Sequence, residues 1–292
     1  MKLLVTGARG QVGAALVALA GVEEVEVVGL DRSGLDITDG DAVFRALEKC
    51  MPDIVVNAAA YTAVDRAEDE PELAFQVNRD GAKYVALACV AASIPLIHLS
   101  SDYVFDGRKS EPYSEDDLPN PLGVYGRSKW EGEEAVQAAL DRHVILRTSW
   151  VFSSQGSNFV RTILRLARDR DELRVVSDQH GCPTPADDIA RALLVISRKL
   201  VEGQNSWGAY HFAGHPPTTW FAFAQAIVHE ASLRGLSRVE SVAPISTSQY
   251  PIRAQRPKNS VLATDKIEAT FGIRAAGWRE ALSRTISAIA GG

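Results

Sequence analysis

The chain has 292 residues, of which 46% are hydrophobic and 23% are charged, and its formal net charge at pH 7 is −6. This composition excludes a disordered or fibrous chain, and the length allows one large domain or two smaller ones. An acidic chain without a run of basic residues is poorly suited to bind nucleic acid through its phosphates, so we expect no nucleic-acid partner.

The first 150 residues alternate apolar strand patterns with helical patterns. Predicted strands cover residues 3–6, 26–30, 54–57, 95–100 and 143–149, and predicted helices cover residues 11–19, 41–50, 71–92 and 126–139. Continuous apolar strands between helices are typical of a parallel sheet that is covered on both faces. The pattern therefore predicts an α/β fold with a doubly wound parallel sheet of the Rossmann type.

The pattern weakens after residue 150, where loop content rises. Helices are predicted over residues 158–168, 187–200 and 221–230, a strand over 173–176, and a proline-punctuated loop over 244–258. We expect residues 1–149 to form the dinucleotide-binding domain, completed by parts of 171–206. Residues 150–292 are then expected to form mainly a smaller α/β substrate-binding lobe, built from discontinuous pieces.

Cysteine usage and hydropathy indicate the compartment. Cys50, Cys89 and Cys182 are too few and too scattered for a disulfide framework, so we expect reduced thiols. The first residues already form a strand pattern and no signal peptide is predicted. No stretch approaches the roughly 18 consecutive apolar residues that a membrane helix needs, so a cytoplasmic protein without a membrane partner is expected.

A glycine-rich turn lies between the first predicted strand and the first predicted helix. Gly7, Gly10 and Gly13 have the spacing G-x-x-G-x-x-G. Gly7 allows a sharp turn, Gly10 lets a pyrophosphate approach the backbone, and Gly13 lets the helix pack closely on the sheet. Because Asp31 ends the second predicted strand, the pattern predicts a dinucleotide-binding unit.

Residues after the second and third strands bear on the cofactor. Asp31 suits the ribose 2′-hydroxyl of NADH, whereas Arg32 suits the 2′-phosphate of NADPH, so the expected cofactor is NADPH or NADH. Small residues follow the third strand from Asn57 to Ala60. They either form a wall beside the cofactor or serve simple packing, and both interpretations stay open.

Three side chains with complementary chemistry follow the fourth predicted strand. Ser101 lies where an open α/β sheet binds its ligands. Tyr125 and Lys129 are four residues apart, which places them on one face of a helix. A nearby ammonium lowers the pKa of a tyrosine, so Tyr125 is expected to give a proton to a carbonyl oxygen while Ser101 hydrogen-bonds that oxygen.

These residues and several longer motifs carry a family resemblance. The glycine loop and the Ser101, Tyr125 and Lys129 set resemble the extended short-chain dehydrogenase/reductases. Within that superfamily, the segments SSDYVFDG, YGRSKWEGE, LRTSWVF, NFVRTILRLA and DQHGCPTPADDIA resemble the dTDP-4-dehydrorhamnose reductases. The resemblance implies reduction of the 4-keto group of dTDP-4-dehydro-β-L-rhamnose by NADPH or NADH, the last step of dTDP-L-rhamnose synthesis.

The resemblance also implies roles for individual residues. Tyr125 would be the proton donor, Lys129 would hold the nicotinamide ribose, and Ser101 stands where the family commonly has Thr. Residues implied to bind the cofactor, together with those expected from the glycine loop and the second strand, are Gly7, Gly10, Gln11, Val12, Gly13, Asp31, Arg32, Asp36, Ile37, Ala60, Tyr61 and Thr62. Residues implied to contact the sugar nucleotide are Ser101, Asp102 and Trp150.

Two further positions have open interpretations, and one family feature is missing. Trp150 could pack on a sugar or in the core, although the resemblance favours the ligand. Arg256 could pair with a diphosphate or be solvated. Some family members bind magnesium between subunits through a glutamate in the first helix, but residues 13–16 contain no carboxylate. We therefore expect no metal, and either a monomer or a homodimer.

Other functions remain open on the same fold. A sugar-nucleotide 4-epimerase would keep its cofactor bound, whereas a reductase exchanges it at each turnover. A 4,6-dehydratase commonly has Asp-Glu after the hydroxyl residue, but here Tyr103 follows Asp102. A non-catalytic regulatory subunit, such as that of methionine adenosyltransferase, also resembles this family, although intact Ser101, Tyr125 and Lys129 argue against it.

Overall fold

The computed structural model describes residues 1–23, 25–250 and 253–291 and is built around a six-stranded parallel sheet. In chain order the strands are β1 (Lys2–Thr6), β2 (Glu26–Leu30), β3 (Ile54–Asn57), β4 (Leu96–Ser101), β5 (His143–Thr148), β6 (Val151–Phe152), β7 (Glu172–Val176), β8 (His180–Gly181), β9 (Thr184–Pro185), β10 (Gly208–His211), β11 (Thr218–Thr219) and β12 (Ser241–Ile245).

Helices cover both faces of this sheet and build the rest of the molecule. The α-helices are α1 (Gln11–Val22), α2 (Gly40–Cys50), α3 (Val64–Ala67), α4 (Pro71–Phe75), α5 (Ala82–Ala92), α6 (Val124–Ala139), α7 (Phe159–Asp169), α8 (Ala186–Val201), α9 (Trp220–Ser232), α10 (Asp265–Phe271) and α11 (Trp278–Gly291). Within the described part of the chain, no helix is both long and apolar enough to cross a membrane.

The sheet order is β10-β5-β4-β3-β1-β2, and every neighbouring pair is parallel. Strand β1 pairs with β2 on one side and with β3 on the other, so the chain reverses its direction of winding between β1 and β3. Such a switch point opens a crevice at the carboxyl ends of the strands, where α/β proteins bind their ligands. The predicted doubly wound Rossmann-type sheet is confirmed.

Two apolar cores flank the sheet. Helix α1 packs with α8 on one face, where Leu16 and Leu193 share a fully buried cluster with Leu3 and Val56 of the strands. Helices α2 and α5 cover the other face around Val43. Continuous burial of both sides explains why the central strands lack an apolar/polar alternation.

Residues beyond β5 form additional layers. Helices α7, α9 and α11 share a separate apolar cluster, and β7 and β12 pair in parallel beside them. Strand β10 and helix α8, both from the second half of the chain, nevertheless pack with the N-terminal sheet. The proposed division into two lobes at residue 149 stays a prediction.

Several elements differ from the sequence-based expectation, among them short strands and the helices α10 and α11, which were not predicted. The single helix predicted over residues 71–92 is interrupted by a π-helical turn at Gln76–Gly81. The predicted loop over 244–258 contains the end of β12, where Pro244 is tolerated because the strand is at an edge. Strand β10 was not predicted, since four residues that include Gly208 give too short an apolar pattern.

Candidate active site

The glycine-rich turn after β1 is held by close backbone contacts. Gly7 has a φ of +67°, and a Cβ placed on it would lie 2.6 Å from the backbone nitrogen of Ala59. A Cβ on Gly13 would lie 2.3 Å from the carbonyl oxygen of Gly7. Helix α1 has no side-chain cap at Gly10 and no acidic residue in its first turn, so its N-terminal N–H groups remain suited to an anion.

Gln11 connects this turn to a loop from the second half of the chain. Its Oε1 accepts hydrogen bonds from Ser153 Oγ (3.1 Å) and from Asn158 Nδ2 (2.8 Å). Gly156 in the same loop lies close to the Gln11 stem, since a Cβ on it would be 3.2 Å from Cγ. The neighbouring Val12 is buried in the core against the sheet. The loop 153–158 therefore flanks the candidate phosphate site.

Asp31 directly follows β2 and lies in a network of hydrogen bonds. Its Oδ1 accepts from the backbone nitrogens of Ser33 and Gly34, each at 3.0 Å, and its Oδ2 pairs with Arg9 Nε at 2.7 Å. The hydroxyl of Ser33 donates to Oδ1 at 2.6 Å and is the largest cause that lowers the Asp31 pKa. Asp31 is therefore held as a carboxylate with a largely exposed guanidinium beside it.

The segment after Asp31 contains the other residues expected near the adenosine end of a cofactor. The Nε of Arg32, which is largely exposed, lies 3.5 Å from Asp36 Oδ2. Hydrogen bonds from Thr38 are the main reason that the Asp36 pKa is lowered. Ile37 instead is buried, and a Cβ on Gly81 would lie 2.7 Å from its Cδ1. Ile37 therefore packs mainly into the core.

The loop after β3 is fixed by an asparagine from the π-helical turn. Asn78 Oδ1 accepts from Tyr61 N (2.8 Å), and Asn78 Nδ2 donates to Tyr61 O (3.0 Å). The Tyr61 hydroxyl donates to Glu70 Oε2 at 2.7 Å. Ala60 is partly buried and Thr62 is exposed. These hydrogen bonds hold Tyr61 in place at the carboxyl end of β3, between Ala60 and Thr62.

Ser101 and Tyr125 are brought together by β4 and α6. Ser101 is the last residue of β4, and its Oγ donates to Asp102 Oδ1 at 3.0 Å and accepts from Tyr103 N at 3.1 Å. Tyr125 lies in the first turn of α6, and its ring meets Tyr103 edge to face at 5.7 Å. Burial raises the pKa of Tyr125 to about 12, against a lowering influence from the Ser101 hydroxyl.

Lys129 is almost completely buried one turn further along α6. Its Nζ donates to Leu99 O at 2.7 Å and lies 3.5 Å from Nε2 of His98. Burial lowers the pKa of Lys129 to about 8, although Glu133 acts in the opposite direction. The sequence predicted that Lys129 would lower the Tyr125 pKa. In the structure Lys129 Nζ is instead directed to Leu99 O of β4, and burial of the phenol is the main influence on the Tyr125 pKa, which it raises.

Asp102 is a buried carboxyl group beside Ser101. Burial raises its pKa to about 7. The nearby Ser260 hydroxyl acts in the opposite direction and lowers the Asp102 pKa. The same hydroxyl donates a hydrogen bond to the carbonyl oxygen of His180 at 3.3 Å. Among the described residues, Oδ2 of Asp102 has no hydrogen-bond partner. A buried oxygen without a partner is suited to receive a donor from a bound molecule.

Trp150, which lies between β5 and β6, stacks on a second indole. Its ring lies 3.4 Å from that of Trp220, with an angle of 6° between the planes. A Cβ on Gly181 would lie 2.3 Å from Trp150 Cε2, so glycine lets the indole lie against the backbone. Trp150 has a φ of +44°, which a non-glycine residue rarely adopts. The Trp150 side chain therefore packs against Trp220 and Gly181 but remains partly exposed to solvent.

Arg256 faces two side chains near Tyr125. Its Nη2 lies 2.9 Å from Asp65 Oδ2, and the Tyr103 hydroxyl also contributes to the raised pKa of this arginine. The side chain is mostly buried, so the alternative of a solvated arginine does not describe it. Pro257, the next residue, lines a narrow cleft with Tyr103 and Tyr125.

Sequence reasoning missed several residues of this region. Asn78 was not identified, because its partner Tyr61 is 17 positions away in the chain. His98 on β4 is buried and hydrogen-bonded, and one of its contacts is the candidate site residue Lys129. Among the residues described, no group of three or more His, Cys, Asp or Glu side chains could hold a metal ion.

One protein family matches nearly the whole chain. The family model described as the RmlD substrate binding domain matches residues 1–290. The dTDP-4-dehydrorhamnose reductase of Sinorhizobium fredii (strain NBRC 101917 / NGR234) is 47% identical over 294 residues, covering 99% of this chain and 98% of the relative. The chain belongs to the dTDP-4-dehydrorhamnose reductase family.

Solved structures of this family have the same fold. A dTDP-4-dehydrorhamnose reductase from Clostridium acetobutylicum ATCC 824 aligns with a TM-score of 0.91 and 38% identity over 99% of each chain. The enzyme from Bacillus anthracis str. Ames in complex with NADP aligns with a TM-score of 0.89 and 35% identity over 98% of this chain and 99% of that one. The family resemblance inferred from the sequence motifs is confirmed.

Proposed function

We propose that this chain is a ketoreductase that uses NADPH or NADH to convert dTDP-4-dehydro-β-L-rhamnose to dTDP-L-rhamnose, the last step of dTDP-rhamnose synthesis. The observation that carries the proposal is the arrangement of Ser101, Tyr125 and Lys129 at the carboxyl end of β4, in a chain whose curated relatives are dTDP-4-dehydrorhamnose reductases. Open α/β sheets bind their ligands at this edge.

The turn after β1 fits a dinucleotide cofactor. Gly7 and Gly13 allow a tight turn that bulkier residues would break, and Gly10 opens helix α1 without a capping side chain. Backbone N–H groups of this kind bind phosphate. We assign the phosphates to Gly10, Gln11 and Val12. We assign the rest of the cofactor to Asp31, Arg32, Asp36, Ile37, Ala60, Tyr61 and Thr62.

Neighbouring charges at the adenosine end suit both forms of the cofactor. The Asp31 carboxylate can accept a hydrogen bond from a ribose 2′-hydroxyl. Arg9 and Arg32 have exposed side chains beside it and can balance a 2′-phosphate. When bound, the reduced nicotinamide supplies a hydride for reduction of the ketone.

Tyr125 has the properties of a proton donor in this reaction. Its pKa of about 12 keeps the phenol protonated at neutral pH, so a proton is available for the carbonyl oxygen as the carbon is reduced. Ser101 can donate a hydrogen bond to the same oxygen and stabilise its developing negative charge. Lys129 would hold the nicotinamide ribose, and we assign contacts with the sugar nucleotide to Ser101, Asp102, Trp150 and Arg256.

Elimination of water is disfavoured by the residue after Asp102. A dehydratase needs a second acid–base group there, and Tyr103 occupies the position. Burial raises the pKa of Tyr103 far above neutrality, so it cannot act as a base. We also propose a small-molecule partner and no nucleic acid, in keeping with the net charge of −6, and a monomer or homodimer.

A direct assay tests the proposed function. Purified protein is mixed with NADPH or NADH and dTDP-4-dehydro-β-L-rhamnose, and the absorbance of the reduced nicotinamide is followed. We expect Tyr125→Phe to lower kcat by about 10²- to 10⁴-fold, the usual contribution of a positioned acid, while the Kd of the cofactor stays unchanged. Tyr84→Phe, the same change on α5, should leave kcat unchanged. Absence of oxidation with any 4-keto sugar nucleotide would overturn the proposal.

A further inference from the structure

A line of buried polar side chains runs beneath the candidate site and ends at Lys129. Thr6 Oγ1 on β1 donates to Asn57 Oδ1 on β3 at 2.6 Å. Asn57 Nδ2 lies 3.1 Å from Nδ1 of His98 on β4, and Nε2 of His98 lies 3.5 Å from Nζ of Lys129 on α6. All four residues are at most 2% exposed, so water cannot substitute for these contacts.

The backbone fixes the orientation of the Asn57 amide. Ala59 N donates to Asn57 Oδ1 at 3.2 Å, and Thr6 donates to the same oxygen. A flipped amide would direct its NH₂ group at the N–H of Ala59, which would leave two donors facing each other. Oδ1 therefore faces Thr6 and Ala59, and Nδ2 faces His98.

The orientation of this amide determines the tautomer of His98. Nδ2 of Asn57 can only donate, so Nδ1 of His98 must accept and carry no proton. A neutral imidazole then carries its proton on Nε2, which faces Nζ of Lys129. An N–H group can donate to a neutral amine, but it opposes an ammonium group that has no free electron pair.

We propose that His98 is a positioning residue for Lys129: its Nε2–H, fixed by Asn57, holds the lysine nitrogen at the end of β4 and favours the neutral amine. Leu99 O accepts a proton of the same nitrogen at 2.7 Å, so the amine is held from two sides. A merely space-filling histidine would require neither a particular tautomer nor a particular neighbour.

Some of the groups around the contact between His98 and Lys129 raise the pKa of the side chain that they face, and others lower it. Glu133, one turn along α6, favours the ammonium form of Lys129, whereas burial lowers the Lys129 pKa to about 8. Burial, Lys129 and His143 on β5 lower the pKa of His98 well below its usual value, so His98 is neutral at neutral pH. A lysine with a pKa near 8 can both hold and release a proton under working conditions.

Two replacements of His98 separate its two ring nitrogens. In His98→Asn the side-chain oxygen can still accept from Asn57, but no donor reaches Lys129. In His98→Gln the longer amide can still present an N–H toward Lys129. We expect His98→Asn to raise the Lys129 pKa by about one unit, comparable to one buried hydrogen bond, and His98→Gln to leave it near the wild-type value.

The titration is measured by NMR on protein with ¹³C-labelled lysine, with the Lys129 signal assigned through Lys129→Arg. His229→Asn, the same change on the exposed face of α9, is the matched control and should not move the signal. An unchanged Lys129 pKa in His98→Asn would overturn the proposal. An equal shift in His98→Asn and His98→Gln would also overturn it, since the Nε2–H would then not be the cause.

A measurement on the unsubstituted protein covers the case in which His98→Asn does not fold. Imidazole ¹⁵N chemical shifts distinguish the tautomers directly. We expect the signals of His98 to show a proton on Nε2 and none on Nδ1 throughout the neutral range. A proton on Nδ1, or a charged imidazole at neutral pH, would contradict the proposal.

A kinetic measurement extends the test, and it alone rests on the proposed reductase activity. We expect the pH profile of kcat in His98→Asn to shift to higher pH by the same amount as the Lys129 titration, while His98→Gln keeps the wild-type profile. If neither protein oxidises NADPH but the lysine titration shifts as described, the proposed function fails and the role of His98 stands. If the Lys129 titration shifts in His98→Asn but the pH profile of kcat does not, the proposed effect of His98 on catalysis is overturned.

Discussion

Asp102 shows how a single buried carboxyl group couples stability to pH. The side chain is 2% exposed, and burial raises its pKa from 3.8 to about 7. A raised pKa means that the folded state prefers the protonated acid. Its stabilising contribution is therefore complete below pH 3.8 and is lost as the pH rises to about 7.

Asp102→Asn should remove this dependence, because an amide resembles the protonated acid and cannot ionise. At pH 8 we expect the variant to be more stable than the wild type by roughly 4 kcal/mol, the free energy that corresponds to the shifted pKa. The two proteins should be about equally stable at pH 4. Urea unfolding at both pH values measures the difference, with the exposed Asp141→Asn as control. Equal stability at pH 8 would contradict a buried, ionised Asp102.

The sequence predicts the chemistry of single residues better than their contacts. Tyr125 and Lys129 could be identified because their four-residue spacing is a local property of a helix. The contact between Lys129 and His98 joins α6 to β4, and no spacing in the chain encodes it. The pair between Arg256 and Asp65 spans 191 positions and was likewise hidden, so the environment of this arginine was left open.

Helix α1 depends on glycine at one position and merely tolerates it at another. Gly13 and Gly21 both lie in this helix. A Cβ on Gly13 would lie 2.3 Å from the carbonyl oxygen of Gly7, whereas a Cβ on Gly21 would meet nothing within 4 Å. The first glycine lets the helix start directly behind the turn that we assign to phosphate binding.

Gly13→Ala should push the start of α1 away from this turn. We expect a loss of stability of about 1–3 kcal/mol, typical of an overpacked site, and a weaker affinity for NADPH. Gly21→Ala is the matched control and should stabilise the helix by up to about 1 kcal/mol without changing NADPH affinity. Thermal unfolding and fluorescence titration measure both effects. Unaltered NADPH affinity in Gly13→Ala would contradict the assigned cofactor turn.

Strands with a continuous apolar pattern could be predicted from the sequence. A local feature such as the π-helical turn, whose contacts are with residues distant in the chain, could not. The first five strands of the sheet were predicted to within about a residue, because helices bury both faces of the central strands and give them continuous apolar patterns. The π-helical turn at Gln76–Gly81 follows a pattern that reads as a plain helix. It places Asn78 against Tyr61 and Ser128, which only the folded chain brings close.

A buried ion pair connects three strands of the central sheet with helix α6. Arg147 on β5 donates from Nη2 to Glu133 Oε2 on α6 at 2.7 Å, with both side chains at most 3% exposed. The hydroxyl of Ser100 on β4 donates to the same carboxylate. Nη1 of Arg147 also lies 3.4 Å from Nε2 of His211 on β10. Four elements from both halves of the chain therefore meet at one pair of charges.

Arg147→Met should leave the Glu133 carboxylate buried without its partner. We expect a loss of about 3–5 kcal/mol of unfolding free energy, the usual cost of breaking a buried pair. Adding Glu133→Gln removes the stranded charge and should recover part of that loss. Arg165→Met on the exposed face of α7 is the control and should change stability little. A double variant as unstable as Arg147→Met alone would show that charge is not the cause.

The position of β10 at the sheet edge also bears on how this chain is made. Residues 208–211 pair with residues 144–147, so β5 stays an open edge until the ribosome has synthesised the second half of the chain. An uncovered parallel strand invites pairing with other nascent chains. For the same reason, a gene fragment cut directly after residue 150 would encode an unfinished sheet, and a useful truncation should retain the chain at least through His211.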